Sequence, residues 1–96
     1  MLKGKQKRYL RGLGHSLDPV VTIGKHELSE RLIAETDAAL AHHELIKVRL
    51  LDSTLLDRHE AAESLAEACA AEVAQVLGRT FLLYRKSEEP SIILPD

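Results

Sequence analysis

The chain has no tryptophan, two tyrosines and one phenylalanine. Aromatics as sparse as Tyr9, Phe81 and Tyr84 cannot build the platform on which RRM or OB-type modules stack several unpaired bases. One cysteine, Cys69, excludes a disulfide within the chain, and its apolar surroundings in the sequence mark it as a small core residue. No stretch approaches the roughly 20 consecutive apolar residues of a membrane span. The first eleven residues hold Lys3, Lys5, Lys7, Arg8 and Arg11 in place of the apolar run of a signal segment. The expectation is a protein of the reducing cytoplasm with no membrane partner.

Motifs for chemistry are equally scarce. His15, His26, His42, His43 and His59 are scattered, and no serine or cysteine stands in a nucleophile-elbow context. His42-His43-Glu44 are consecutive, so at a helix-to-strand junction their side chains diverge instead of converging on a metal. Neither G-x-x-x-x-G-K-[ST] nor G-x-G-x-x-G occurs. A non-enzyme is expected, with no cofactor, no metal and no small-molecule substrate.

What the sequence does have is polarised charge. The formal net charge is −2, yet residues 1–17 carry five cations and no acid, while residues 52–72 carry Asp52, Asp57, Glu60, Glu63, Glu67 and Glu72 against Arg58 alone. A near-neutral total therefore conceals a positive pole, and the local field governs encounter with a polyanion.

MLKGKQKRYLRGLGH predicts a first helix. Leu2, Tyr9, Leu10 and Leu13 share one arc at about 100° per residue, with Gln6 between them, and Gly12 and Gly14 supply the stop. Lys3, Lys7 and Arg11 then form a ridge on the opposite side, with Arg8 beside it. Asp18-Pro19 leads into a β-branched strand at about 19–23. A second helix is predicted over about 27–42, on a stripe of Leu28, Leu32, Thr36 and Leu40. Glu27 and Glu30 in its first turn suit the positive end of the helix dipole. A strand at about 45–51 buries Ile46, Val48 and Leu50 and turns Lys47 and Arg49 the other way. A third helix is predicted over about 57–72. A closing hairpin follows, joined at Gly78-Arg79 by a type II′ turn with Arg79 projecting from its tip. Ser91 to Leu94, in a tail from about residue 86, form either an edge strand or a cover over a core opening. The order αβαβαββ implies one α/β domain: a mixed four-stranded sheet with three helices in two layers.

Against this background the turn in IGKHEL stands out. A strand that ends in glycine and leads into a helix presents backbone N–H groups and a positive helix terminus to one small volume. Gly24 lets an anion approach the backbone and Lys25 adds a charge. The alternative is a plain connector, in which glycine serves only its φ angle. Phosphate contact is thus the mode of polyanion binding that the residues favour, from the first helix, Lys25 and Arg79.

Three segments in order, KQKRYLRGLGHSLDPVVTIGK, LAHHELIKVRL and GRTFLLYR, resemble the CRM domain, which occurs alone in bacterial YhbY-type proteins and repeated in plant organelle splicing factors. The resemblance runs from about Gly4 to Arg85. It implies an α/β fold similar to the C-terminal domain of translation initiation factor three, no catalytic activity, and association with precursor large ribosomal subunits through ribosomal RNA. It further implies an RNA contact at a GxxG loop after the first strand, flanked by a basic surface and gripping backbone phosphates. Here that loop reads Gly24-Lys25-His26-Glu27, with glutamate in place of the second glycine. The side chain fills space a phosphate could use, and its charge opposes an anion. The resemblance carries over to Gly24, Lys25 and His26; the charge pattern adds Lys3, Lys5, Lys7, Arg8, Arg11 and Arg79, with Lys47 and Arg49 next. The helix and loop groups are expected to share one patch. A competing expectation is a protein-interaction factor that docks on a ribosomal protein or another assembly factor through Glu60, Glu63 and Glu67 of the third helix. Either is expected to act as a monomer.

Overall fold

The computed structural model describes residues 1–96. The elements are α1 (Gly4–Gly14), β1 (Pro19–Ile23), α2 (Glu30–His43), β2 (Leu45–Leu50), α3 (Arg58–Ala68), β3 (Glu72–Leu77) and β4 (Thr80–Tyr84), in the expected order. The strands form one mixed sheet ordered β1-β2-β4-β3. β1 runs parallel to β2 with Ile23 opposite Leu50, which requires the α2 crossover. β4 pairs antiparallel with both β2 and β3. In the connecting hairpin Gly78 has φ 59° and Arg79 does not share a positive φ, the pattern of the expected turn.

Strand alternation decides which face each helix covers. Val21 and Ile23 of β1, Ile46, Val48 and Leu50 of β2, and Phe81 and Leu83 of β4 point to one face. There they meet Leu32 and Leu40 of α2 and Ala61, Ala62, Leu65 and Ala66 of α3. Leu45, Ala74, Leu82 and Tyr84 point to the other face and meet Leu2 and Leu10. The two-layer expectation thus describes α2 and α3, and α1 departs from it by packing on the opposite face, over β3, β4 and the start of β2.

The seam of α1 also differs from the predicted arc. Gly12 does not stop the helix, which continues to Gly14. Gly14 approaches the sheet so closely that a Cβ there would lie 2.4 Å from Leu82 Cδ1. This contact draws the seam onto Gln6, Leu10 and Gly14, one turn apart, and rotates Tyr9 and Leu13 into solvent.

Two helix ends shift for local reasons. Glu27 has φ 51°, a left-handed residue no helix can begin on, so α2 starts at Glu30 with the Ser29 hydroxyl accepting from Leu32 N. α3 ends at Ala68, and Ala70, at φ 53°, reverses the chain into β3.

The tail covers a core opening and adds no strand. Ile92 and Leu94 pack against the α1-side core, and Gln6 Nε2 donates to Pro95 O at 3.0 Å. Ser91 N, Ser91 Oγ and Ile92 N all donate to Oε1 of Glu44, which is buried. Burial alone would push the Glu44 carboxyl up, but these hydrogen bonds outweigh it and hold its pKa below the ordinary value. At the same end Arg85 NH1 donates to Asp37 Oδ1 at 2.6 Å and to Cys69 O at 2.8 Å, which ties β4 to α2 and to the end of α3. The Cys69 thiol, pushed up by burial and by Asp37, stays protonated and serves packing.

Candidate nucleic-acid interface

The loop after β1 is a closed turn, with Glu27 N donating to Gly24 O at 3.0 Å. Lys25 and His26 occupy its two central positions with exposed side chains. Glu27 lies beside the loop cleft, with its carboxylate engaged by the β2–α3 connection. Its Oε2 accepts from Thr54 Oγ1 at 3.2 Å and Leu55 N at 3.0 Å, so the acid is spent on tying this turn to the β2–α3 connection. The repulsion expected of Glu27 is reduced accordingly, because hydrogen-bond donors face the carboxylate. Position 27 has the positive φ that glycine adopts most easily. The latch to Thr54 and Leu55 is what holds a glutamate there.

Gly24 itself is not demanded by packing: an added Cβ would lie 3.6 Å from Leu51 Cδ1 and 3.7 Å from Ser53 Oγ, ordinary contact. A shallow cleft of about 190 Å³ lies against this turn, lined by Gly24, Lys25 and His26, by Arg31 of α2, and by the carboxylate residues Glu27 and Glu35. A helix starting at Glu27, as the periodicity suggests, would put Arg31 in its second turn, away from the loop. With Ser29 recognised as the cap, Arg31 falls in the first turn, beside the loop.

Arg79 is a correction. It does not project from the hairpin tip; its guanidinium folds back, with Nε donating to Leu50 O at 3.1 Å and the second terminal nitrogen to Leu51 O at 2.7 Å. Asp52 lies 3.4 Å from Nε. The Leu50 carbonyl at the end of β2 and the Leu51 carbonyl, which also accepts from Thr54 N, hold the guanidinium, so Arg79 shapes the rim.

The single patch expected of α1 and the loop is also corrected. Lys7 lines a cleft of about 330 Å³ together with Glu63 and Glu67 of α3 and Glu72 of β3. α1 and α3 lie on opposite faces of the sheet and meet around the free edge of β3, so the basic helix and the acidic helix flank one cleft. The strand order sets β1 and β3 three steps apart, about 14 Å. Glu72 and Ile23 also stand at opposite ends of the strands, about 16 Å apart along them. Lys7 and Gly24 are therefore diagonal across the molecule. Lys3, Lys5, Arg8 and Arg11 are exposed and form no ion pair.

Between these regions the sheet face left open by α1 carries two further cations. Pairing aligns Thr22, Arg49 and Thr80 in a row across β1, β2 and β4, with Lys47 one pleat behind Arg49. Arg49 is exposed, Lys47 half-buried, and neither joins one of the three ion pairs. β1, β2 and β4 contain no carboxylate residue at all. Alternation along β2 places both cations on this face, and the packing of α1, a tertiary fact, leaves them uncovered. No three His, Cys, Asp or Glu side chains converge as a metal would need. His42 and His43 meet edge-on at 4.5 Å on the end of α2.

Comparison with known proteins matches residues 2–85 to the CRS1/YhbY (CRM) domain. The chain is 40% identical over 94 residues to an RNA-binding protein of Haemophilus influenzae, covering 98% of this chain and 95% of that one. It is 48% identical over 89 residues to a probable RNA-binding protein of Methanocaldococcus jannaschii, covering 91% of this chain and 66% of the relative. The solution structure of a hypothetical protein from Staphylococcus aureus superposes with a TM-score of 0.85 at 47% identity, over 99% of this chain and 100% of that one.

Proposed function

The chain belongs to the CRS1/YhbY (CRM) domain family, and from that premise we propose that it binds structured RNA by its phosphate backbone, as a cytoplasmic assembly factor on precursor large ribosomal subunits. The observation that carries the reading is the carboxylate-free sheet face bearing Lys47 and Arg49, with Lys25, His26 and Arg31 at one margin and the cations of α1 at another. Gly24 supplies close approach to the backbone at that margin. Such a surface grips phosphates without reading bases, since cations on a rigid sheet fix register and carry no base code.

Gel shifts with precursor ribosomal RNA fragments across a salt series test it. Arg49→Gln and Lys47→Gln should each lower the slope of log affinity against log salt by about 1, alike for all sequences. An unchanged slope in the double variant would remove the sheet face from the interface. A second reading has its own observation, the cleft where Glu63, Glu67 and Glu72 gather at the β3 edge. Docking there on a ribosomal protein would give ribonuclease-resistant co-sedimentation with particles, lost when Glu63 and Glu67 become lysine.

A further inference from the structure

Of the three aromatics, Phe81 and Tyr84 are buried and Tyr9 is 43% exposed. The Tyr9 hydroxyl bonds to nothing in the protein, and no ring or cation packs on its face. Lys5, Arg8, Tyr9 and Gly12 follow the i, i+3, i+4, i+7 spacing that puts four residues on one helix face. That face is turned away from the seam through Gln6, Leu10 and Gly14. All four residues are exposed, and Lys5 and Arg8 are free of ion pairs.

Gly12 is the informative member. It sits inside the helix, where glycine is less favourable than alanine, and nothing lies within 4 Å of where its Cβ would be. Neither packing nor a positive φ requires it. Its effect is a bare stretch of backbone one turn from an unpartnered aromatic ring, with the cations Lys5 and Arg8 on the same helix face. A flat group held on the ring needs such a recess, and a flat group attached to phosphates needs such neighbouring charges.

We propose that the outer face of α1 seats one unpaired RNA base: Tyr9 stacks on it, Gly12 leaves room for its edge, and Lys5 and Arg8 hold the adjoining phosphates. This rests on the RNA-binding reading above and extends it from backbone grip to a preference for RNA with a bulged or looped-out nucleotide. Bases inside an A-form duplex are stacked on one another and offer no face to a side chain. A single ring gives one seat, in keeping with the lack of a multi-base platform.

The absence of tryptophan makes the test direct, because emission comes from Tyr9 and the buried Tyr84. The full chain is titrated with a blunt RNA duplex and with the same duplex carrying one bulged adenosine. The bulged duplex should bind about tenfold more tightly and quench tyrosine emission. Tyr9→Ala should abolish both the preference and the quenching while binding the blunt duplex as before, and Tyr9→Phe should keep the preference. Gly12→Leu, a better helix former, should lose the preference with no loss of thermal stability. Equal binding of the two duplexes, or a preference that survives Tyr9→Ala, overturns the seat and leaves backbone binding standing. Failure of the wild-type chain to bind either duplex overturns both.

Discussion

Gly14 and Gly24 are the same residue type with opposite reasons for being there. At Gly14 a methyl group would meet Leu82 Cδ1 at 2.4 Å and Cδ2 at 2.8 Å, inside a packed seam. Gly14→Ala must push α1 off the sheet or force Leu82 out of its rotamer, and should cost about 1–3 kcal/mol, seen as a lowered Tm. At Gly24 the same methyl meets only ordinary contacts, at 3.6 and 3.7 Å. Gly24→Ala should change stability by less than about 0.5 kcal/mol. Any loss of RNA affinity in that variant, measured beside an unchanged Tm, therefore reports on the ligand and not on the fold. If affinity is also unchanged, the turn is a connector and phosphate approaches elsewhere. Glu27 shows how a single residue can mislead: its charge was legible in the sequence, but its partners Thr54 and Leu55 lie more than twenty residues away.

Among the elements, the strands were the most legible, because a β-branched run and the alternation of Ile46, Val48 and Leu50 with Lys47 and Arg49 depend on neighbours in sequence alone. Helix faces were less so. Periodicity placed Tyr9 and Leu13 inward, and only the close approach at Gly14, a tertiary fact, selected the adjoining seam. The tail was the least legible, since its anchor is Glu44, the acid that caps the end of α2 just before β2. Burial and the Ser91 and Ile92 hydrogen bonds act on Glu44 in opposite senses, and the net folded pKa lies below the ordinary 4.5. A depressed carboxylate pKa means that the stabilisation is complete above the unfolded value and is lost as pH falls through the folded one. Hydrogen exchange at the Ser91 and Ile92 amides, corrected for intrinsic rates, should show protection lost in that acid range while Leu83 in the central strand stays protected. In Glu44→Gln, protection at neutral pH should be lower and the acid step absent. A step that persists in the variant would assign it to another group.

At the scale of the whole molecule the charge division seen in the sequence survives folding in an altered form. The acidic and basic helices lie on opposite faces of the sheet, yet both reach the β3 edge, where Lys7 shares a cleft with Glu63, Glu67 and Glu72. The uncompensated positive surface is instead the open sheet, where Arg49 has no carboxylate on its own or either neighbouring strand; at its loop margin Lys25 and Arg31 share a cleft with Glu27 and Glu35. At about 0.15 M salt charges are screened over about 8 Å, so each cation acts mainly with its immediate neighbours. Lys7 is therefore partly cancelled where it stands, and Arg49 is not. Lys7→Gln should weaken RNA binding less than Arg49→Gln does. In Glu63→Gln/Glu67→Gln the Lys7 site should be released, giving tighter binding at low salt and a steeper salt slope, both reversed by adding Lys7→Gln. The measurement is the slope of log affinity against log salt for the four chains. Equal losses from Lys7→Gln and Arg49→Gln, with no gain from removing the two acids, would mean that the bound RNA reaches around the β3 edge and that the face opposite α2 and α3 is not its main seat.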